Sequence, residues 1–259
     1  MSDSSGLKGN FPQRNFATTH WSMVLAAGDH SSSISKSALE KLCESYWYPL
    51  YSFVRRKGFD ANAAADLTQG FFASLIERND FESIQKEKGR FRSFLLAAIR
   101  NFIANEMDFA NAAKRGGNVS TFSIDANSAE SKFENERNQF EPSHGVTPET
   151  SFERTWAIAL IENVHQQLRA EFVKNGREVL FDRLQVFLTG SNQVNAPTYR
   201  ELAAEFEISE SAIKVNVHRM RQQFRELLRT EIAHTVPSES EVDDELNSLF
   251  VTLQGDSQK

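Results

Sequence analysis

TYRELAAEFEISESAIKVNVHRMRQQFRELLR, residues 198–229, is the stretch that decides the fold. Thr198 is followed three residues later by Glu201, which is the spacing of a capping box at the start of a helix. Ser209 has the side chain of a second helix N-cap. Apolar residues recur at three- and four-residue steps after both caps, which predicts two amphipathic helices joined by a tight turn. Glu207 stands where such turns often have glycine, so we expect the backbone there to be either strained or shaped differently.

Charge separates along this unit. Residues 198–212 carry a net charge of −3, whereas residues 213–229 carry +4. An acidic first helix and a basic second helix suit entry of the second helix into the DNA major groove, where basic side chains contact phosphates and base edges. A helical hairpin with a solvated basic face is the alternative. The residues predicted to face the duplex are Glu210, Ser211, Lys214, Val215, Asn216, His218, Arg219 and Arg221.

The rest of the chain shows helical periodicity and no period-two strand pattern. We therefore predict an all-α fold of two small helical domains joined by a flexible linker, with a helix-turn-helix in the C-terminal domain. Asp60 should open the second helix, and Pro49 should kink or break the first. The predicted parts are a mobile N-terminus at 1–20, a helical domain at 21–115, an acidic linker at 116–150, a helix-turn-helix domain at 151–234 and an acidic tail at 235–259.

The net charge of −6 is unevenly distributed over the 259 residues. Residues 116–153 and residues 235–259 each carry a net charge of −5, so the remaining chain carries +4. Nucleic-acid binding depends on local basic surfaces more than on total charge. The acidity of the chain therefore does not exclude DNA binding.

Several classes of function are disfavoured by the composition and the motifs. Cys43 is the single cysteine, which excludes an intramolecular disulfide and a cysteine-based zinc site and fits the reducing cytoplasm. No apolar run approaches the ~20 residues of a membrane span. The sequence has no paired-histidine metal motif, glycine-rich phosphate loop or nucleophile elbow. We therefore expect a cytoplasmic protein that is not an enzyme and has no membrane, cofactor, metal or small-molecule partner.

The first helical block, which is the predicted domain at 21–115, contains a candidate partner surface. Residues 66–69, DLTQ, place polar groups on a helix whose other face carries Leu67, Phe71 and Leu75. Phe72 lies one residue off that apolar stripe, so we expect it to be exposed and to mark a contact with a partner. An ordinary amphipathic helix is the alternative.

Residues 86–115 combine basic and aromatic side chains. The segment has seven bases and three acids, for a net charge of +4. Such a mixture suits single-stranded nucleic acid, because bases stack on aromatic rings and phosphates pair with arginines. The helical spacing of the phenylalanines, however, favours a place in the core for most of them. The aromatic residues in question are Phe91, Phe94 and Phe102.

Four segments of the sequence together resemble the sigma-seventy superfamily, in its small extracytoplasmic-function class. YWYPLYSFVRRKGF (46–59) with AADLTQGFFASLIER (64–78) resembles the region that docks on the RNA polymerase clamp. GRFRSFLLAAIRNFIANEMD (89–108) resembles the region that engages the promoter's minus-ten element, and 199–229 resembles the region that reads the minus-thirty-five element. TTHWSMVLAAGD (18–29) and DDELNSLF (243–250) are similar to a planctomycete-type subgroup.

This resemblance implies roles for individual residues. The predicted helix-turn-helix surface would face the minus-thirty-five duplex. Polymerase contacts would come from Asp66, Leu67, Gln69, Phe71 and Phe72. Minus-ten contacts would come from Arg90, Arg92, Phe94, Arg100 and Asn101.

The resemblance implies a sigma factor that binds core RNA polymerase and promoter DNA to direct transcription initiation. Two weak modules on one chain would give bivalent promoter binding. The acidic tail or linker would either mask the basic faces until polymerase binds or remain solvated. The class also allows an anti-sigma or other regulatory protein as a partner, although the sequence shows no site for one. The alternative function is a helix-turn-helix transcriptional regulator that does not act as a polymerase subunit.

Overall fold

The computed structural model describes residues 33–77, 89–112, 129–134, 147–188 and 196–254. This part of the chain contains helices and connecting segments but no strand, which confirms the predicted all-α fold. None of the described helices is long and apolar enough to cross a membrane. The α-helices are α1 Ser33–Arg56, α2 Ala61–Glu77, α3 Phe91–Ala112, α4 Pro148–Lys174, α5 Glu178–Leu184, α6 Tyr199–Glu205, α7 Glu210–Ala233 and α8 Val242–Gln254.

Shorter helical segments complete the described chain. Residues 129–134 form a short helix, and 3-10 turns follow α5 at Gln185–Phe187 and precede α8 at Glu239–Glu241. The predicted mobile N-terminus at 1–20 lies outside the described residues, as does most of the predicted linker at 116–150.

Local side-chain hydrogen bonds set where the helices begin. The Asp60 carboxylate accepts from the Ala63 amide at 2.9 Å, so this residue opens α2 as predicted. The predicted interruption at Pro49 does not end α1, which continues through the proline to Arg56. Pro49 and its neighbour Leu50 are both buried, so packing of this turn offsets the missing backbone hydrogen bond.

One hydrophobic core joins the N-terminal and C-terminal parts of the chain. It contains buried side chains of α1, α2 and α3 together with the first half of α4, the end of α7 and α8. The hydroxyls of Ser52 in α1 and Ser151 in α4 lie 2.9 Å apart in a buried contact. Phe152 in α4 and Ile232 in α7 are fully buried in the same core. This core thus includes residues from both predicted domains, 21–115 and 151–234, and from the predicted tail.

A second core lies under the helix-turn-helix. Phe181 of α5, Leu202 of α6 and Ile213 of α7 are fully buried there against the second half of α4. With 27 residues, α4 is long enough to contribute to both cores, and so is α7 with 24. The helix-turn-helix is therefore mounted on helices that also belong to the first core.

Residues 129–134, one of two described pieces of the predicted linker, are docked on α1. Arg55 donates from Nε to Glu130 at 2.9 Å and from its terminal nitrogen at 2.5 Å, and Tyr51 also donates to this carboxylate. The Arg55 hydrogen bonds hold the pKa of Glu130 below its usual value. Phe133 is buried against the Tyr51 ring, and the Arg55 guanidinium lies over it. Residues 129–134 are thus part of the folded structure.

Candidate nucleic-acid interface

The helix-turn-helix consists of α6, a four-residue turn and α7. The Thr198 hydroxyl accepts from the Glu201 amide at 3.2 Å, and the Thr198 amide donates to the Glu201 carboxylate at 2.8 Å. This reciprocal pair confirms the predicted capping box. The Ser209 hydroxyl accepts from the Ala212 amide at 3.2 Å and so caps α7, also as predicted.

The turn between α6 and α7 contains an unfavourable backbone conformation. Glu207 has φ of +54°, and it is the one non-glycine residue with positive φ in the described part of the chain. A side chain in this left-handed region costs about 1–2 kcal/mol, because its Cβ approaches the backbone carbonyl. The Ile208 amide then donates to the Ala203 carbonyl at 3.1 Å and closes the turn. The predicted strain at Glu207 is confirmed.

Replacing Glu207 with glycine should therefore stabilise the protein. We expect Glu207→Gly to raise the free energy of unfolding by about 0.5–1 kcal/mol, since relief of the φ strain exceeds the added entropy of the unfolded chain. Urea unfolding followed by circular dichroism measures the change. Ala204→Gly, one turn earlier on the exposed side of α6, is the control and should destabilise by about 1 kcal/mol. A loss of stability in both variants would contradict the strained turn.

One side of α7 is buried against the second core, so the opposite side is exposed to solvent. Ile213, Val217 and Met220 are each 2% exposed or less and pack on the second core. They recur at three- and four-residue steps, as the sequence predicted. Of the residues between them, Lys214, Val215, His218 and Arg219 are exposed to solvent.

Most of the residues predicted to face DNA are exposed, but two of them are engaged in structural contacts. The Asn216 side chain is half-buried, accepting from Arg177 at 2.6 Å and donating to the Ala212 carbonyl at 2.9 Å. Arg221 is also half-buried and donates to the Phe187 carbonyl at 2.9 Å. The exposed ones are Glu210, Ser211, Lys214, Val215, His218 and Arg219.

Glu210 and Lys214 form an ion pair one turn apart at the start of α7, with 2.8 Å between nitrogen and oxygen. Their hydrogen bond lowers the pKa of Glu210 and raises the pKa of Lys214. Both side chains are about half exposed, so the pair is solvated and can exchange with a phosphate. Lys214 thus remains accessible to an anionic ligand.

An exposed row follows α7 at helical spacing. Val215, His218, Arg219 and Arg225 are all exposed: His218 and Arg219 follow Val215 by three and four residues, and Arg225 follows His218 by seven, which is about two helical turns. Within the described chain, no ion pair engages Arg219 or Arg225. Arg225 was not among the residues predicted from the sequence, although its position seven residues after His218 places it on the same face. This row is the least obstructed cationic surface of the helix-turn-helix.

The predicted polymerase contacts divide into exposed and buried residues. Asp66 is exposed, whereas Leu67 and Gln69 are half-buried on α2. Phe71 is 2% exposed and Phe72 is 7% exposed, and their rings pack in the first core. The expectation that Phe72 is exposed is wrong, because α2 packs on both α1 and α3 and so buries more than one narrow stripe.

The predicted minus-ten residues do not form an open surface either. Arg92 is 4% exposed, and its guanidinium lies 4.2 Å from the Trp156 ring centroid. Arg90 is partly covered, and Phe94 packs against the first core. Arg100 and Asn101 remain exposed. In this arrangement, Arg92 cannot reach DNA.

Arg90, just before α3, and two arginines of α3 are paired with carboxylates from later in the chain. Arg92 donates from Nε to Glu153 of α4 at 2.7 Å and also forms an ion pair with Glu245 of α8. Arg90 lies 2.7 Å from the second oxygen of Glu245, and Arg100 lies 2.6 Å from Glu149. Residues 242–254 of the predicted acidic tail are therefore a helix that contacts the first block. Arg92 and Glu245 each lie within an apolar stripe, which is the sequence signal that could have revealed their burial.

Comparisons of the chain with protein-family models, curated proteins and solved structures found no match. Among the described residues, no cluster of histidine, cysteine and acidic side chains has the arrangement of a metal site.

Proposed function

We propose that this chain is an RNA polymerase sigma factor of the extracytoplasmic-function type, which binds core polymerase and directs it to promoter DNA. The exposed row of His218, Arg219 and Arg225 on the capped helix α7 is the observation that carries the DNA-binding part. A helix presented in this way can enter the major groove, where its arginines contact phosphates and guanine edges. The order of the sequence segments that resemble the sigma-seventy superfamily supports the polymerase part.

The polymerase-docking surface of this proposal lies on α2. Asp66 is exposed there, and Leu67 and Gln69 are accessible in part. Phe71 and Phe72 support the helix from within the first core instead of contacting the partner. The proposed docking surface is thus smaller than the five residues that the resemblance implies.

A helix-turn-helix regulator that does not bind polymerase is the second candidate. It is favoured by the burial of Phe72 and Arg92, which leaves the first block without the open aromatic and basic surface that the sequence predicted. In that case the first block would serve as a scaffold for the DNA-reading helices.

Promoter-dependent transcription distinguishes the two functions. Core RNA polymerase from the source organism is mixed with the purified chain and a library of genomic fragments, and run-off transcripts are sequenced. A sigma factor should co-purify with core polymerase and yield transcripts with defined start sites. Duplex binding without any transcript, and without co-purification, would favour the regulator.

The role of Arg219 in reading DNA can be tested by substitution. If Arg219 contacts a base edge, Arg219→Ala should weaken binding to fragments selected by the wild-type chain by about 1–3 kcal/mol. If Arg219 contacts a phosphate, the substitution should lower the slope of log affinity against log salt concentration by about one. Fluorescence anisotropy over a range of salt concentrations measures both quantities. Lys57→Ala, which removes the same charge from an exposed site at the end of α1, should leave duplex binding unchanged. If Arg219→Ala binds as the wild type does, the DNA-reading surface lies elsewhere.

A further inference from the structure

Glu245 is the most deeply buried charged group of the C-terminal helix. It is 0% exposed, although it belongs to a segment with acidic residues at three consecutive positions, 243–245. One of its carboxylate oxygens lies 2.7 Å from Arg90, the residue just before α3, and the other lies beside Arg92 in α3. The carboxylate thus bridges two guanidinium groups across helices that are distant in sequence.

Each arginine places one nitrogen next to one oxygen of the carboxylate, so the three groups are held together by opposite charge. Guanidinium groups bind carboxylates and phosphates through the same fork of N–H donors, so one anion can replace the other. Arg92 is oriented for this contact by Glu153 and by the Trp156 ring. The site therefore selects for negative charge, and α8 supplies it from within the chain.

We propose that α8 is an internal inhibitor, whose Glu245 carboxylate occupies the arginines with which the first block would bind nucleic-acid phosphates. This inference rests on the proposed function and adds its regulation. When α8 is docked, single-stranded nucleic acid is excluded from Arg90 and Arg92. Binding there requires α8 to leave, and the apparent affinity falls in proportion to the fraction of molecules in which it has left.

The attachment of α8 is weak enough for such an exchange. Three of its 13 residues are buried, namely Val242, Glu245 and Leu249. Leu246 and Leu253 also pack against the first core while remaining partly exposed, and the ion pair between Arg229 and Asp243 joins α8 to α7 at the surface, where it contributes little. A buried ion pair stabilises a fold less than apolar side chains of the same size would, because both charges lose their hydration. A charged contact in the first turn of α8 is therefore better suited to exchange with another anion than to permanent packing.

Glu245→Gln tests the proposal in the full-length chain. The substitution keeps the shape of the side chain and removes its charge. We expect the variant to bind a fluorescein-labelled single-stranded oligonucleotide of mixed sequence about tenfold more tightly than the wild type, as measured by anisotropy at low salt. Asp244→Asn makes the same charge change at an exposed neighbour, so its affinity should stay within about twofold of the wild type.

Two further measurements identify the site. The double variant Glu245→Gln with Arg90→Gln should lose the gain, because the freed arginine is what binds the oligonucleotide. In the wild type, saturating oligonucleotide should accelerate amide hydrogen exchange across residues 242–254. This second readout needs no variant, so it decides the question even if Glu245→Gln fails to fold.

The outcomes separate this inference from the proposed function. Internal inhibition would be overturned if Glu245→Gln, Asp244→Asn and the wild type bound the oligonucleotide with equal affinity. It would also be overturned if bound oligonucleotide left amide hydrogen exchange in α8 unchanged. Duplex binding that depends on Arg219 would survive that result. Conversely, if the wild-type chain neither binds duplex fragments nor supports transcription, the proposed function is wrong, whatever the oligonucleotide affinity of Glu245→Gln.

Discussion

Replacing Arg92 with alanine should lower the free energy of unfolding by about 3–5 kcal/mol. The guanidinium is 4% exposed, pairs with both Glu153 and Glu245, and covers the Trp156 ring. Its removal leaves the fully buried Glu245 carboxylate with less positive charge to compensate it, and also removes the packing of the aliphatic stem. Chemical unfolding monitored by tryptophan fluorescence and circular dichroism measures the loss.

A matched control for this prediction lies two turns further along α3. Arg100 also pairs with a carboxylate from α4, but its side chain is 45% exposed. Arg100→Ala should therefore cost about 1 kcal/mol or less. The double variant Arg92→Met with Glu245→Leu should recover most of the stability that Arg92→Ala loses, because an apolar pair avoids the desolvation of two charges. Equal losses in Arg92→Ala and Arg100→Ala would mean that Arg92 is solvated.

Replacing Phe152 with alanine should cost about 3–5 kcal/mol as well, for a different reason. The ring is 0% exposed and lies in the core that α4 shares with α1, α7 and α8. Truncation leaves a cavity that rigid neighbours cannot fill. Because this core joins both ends of the chain, we expect one cooperative unfolding transition that shifts as a whole.

Phe152→Ala also discriminates between a shared core and two separate domains. Hydrogen exchange of α1 should become faster in this variant along with that of α7, since both helices lose the same support. If the N-terminal helices kept their protection, the two parts would fold independently, as the sequence suggested. Phe109→Ala is the control, because this ring is 70% exposed and its loss should change stability by no more than about 0.5 kcal/mol.

Features encoded by neighbouring residues were predictable from the sequence. The N-caps at Asp60, Thr198 and Ser209 are hydrogen bonds between residues three apart, so a short stretch of sequence contains all the information. The inner face of α7 follows from a single helical period, and Ile213 and Met220 are buried as that period requires.

Features that depend on distant packing were not predictable in the same way. An acidic segment such as 243–245 is usually solvated, and nothing near it in sequence identifies Arg90 as the partner of Glu245. Phe72 is buried because helices cover α2 on two sides, a condition set by the tertiary arrangement. The sequence predicts two domains on either side of the linker at 116–150, and no local pattern indicates that α4 contributes to both cores.

The length of α4 has a mechanical consequence. Its 27 residues form a rod about 40 Å long, with Ser151 packed on α1 near one end and Phe172 beneath the helix-turn-helix near the other. A rod of this kind transmits a tilt imposed at either end, as a lever does. Under the proposed function, duplex would bind at one end of this rod and single-stranded nucleic acid at Arg90 and Arg92 near the other, and any coupling between the two sites would change both affinities by the same factor.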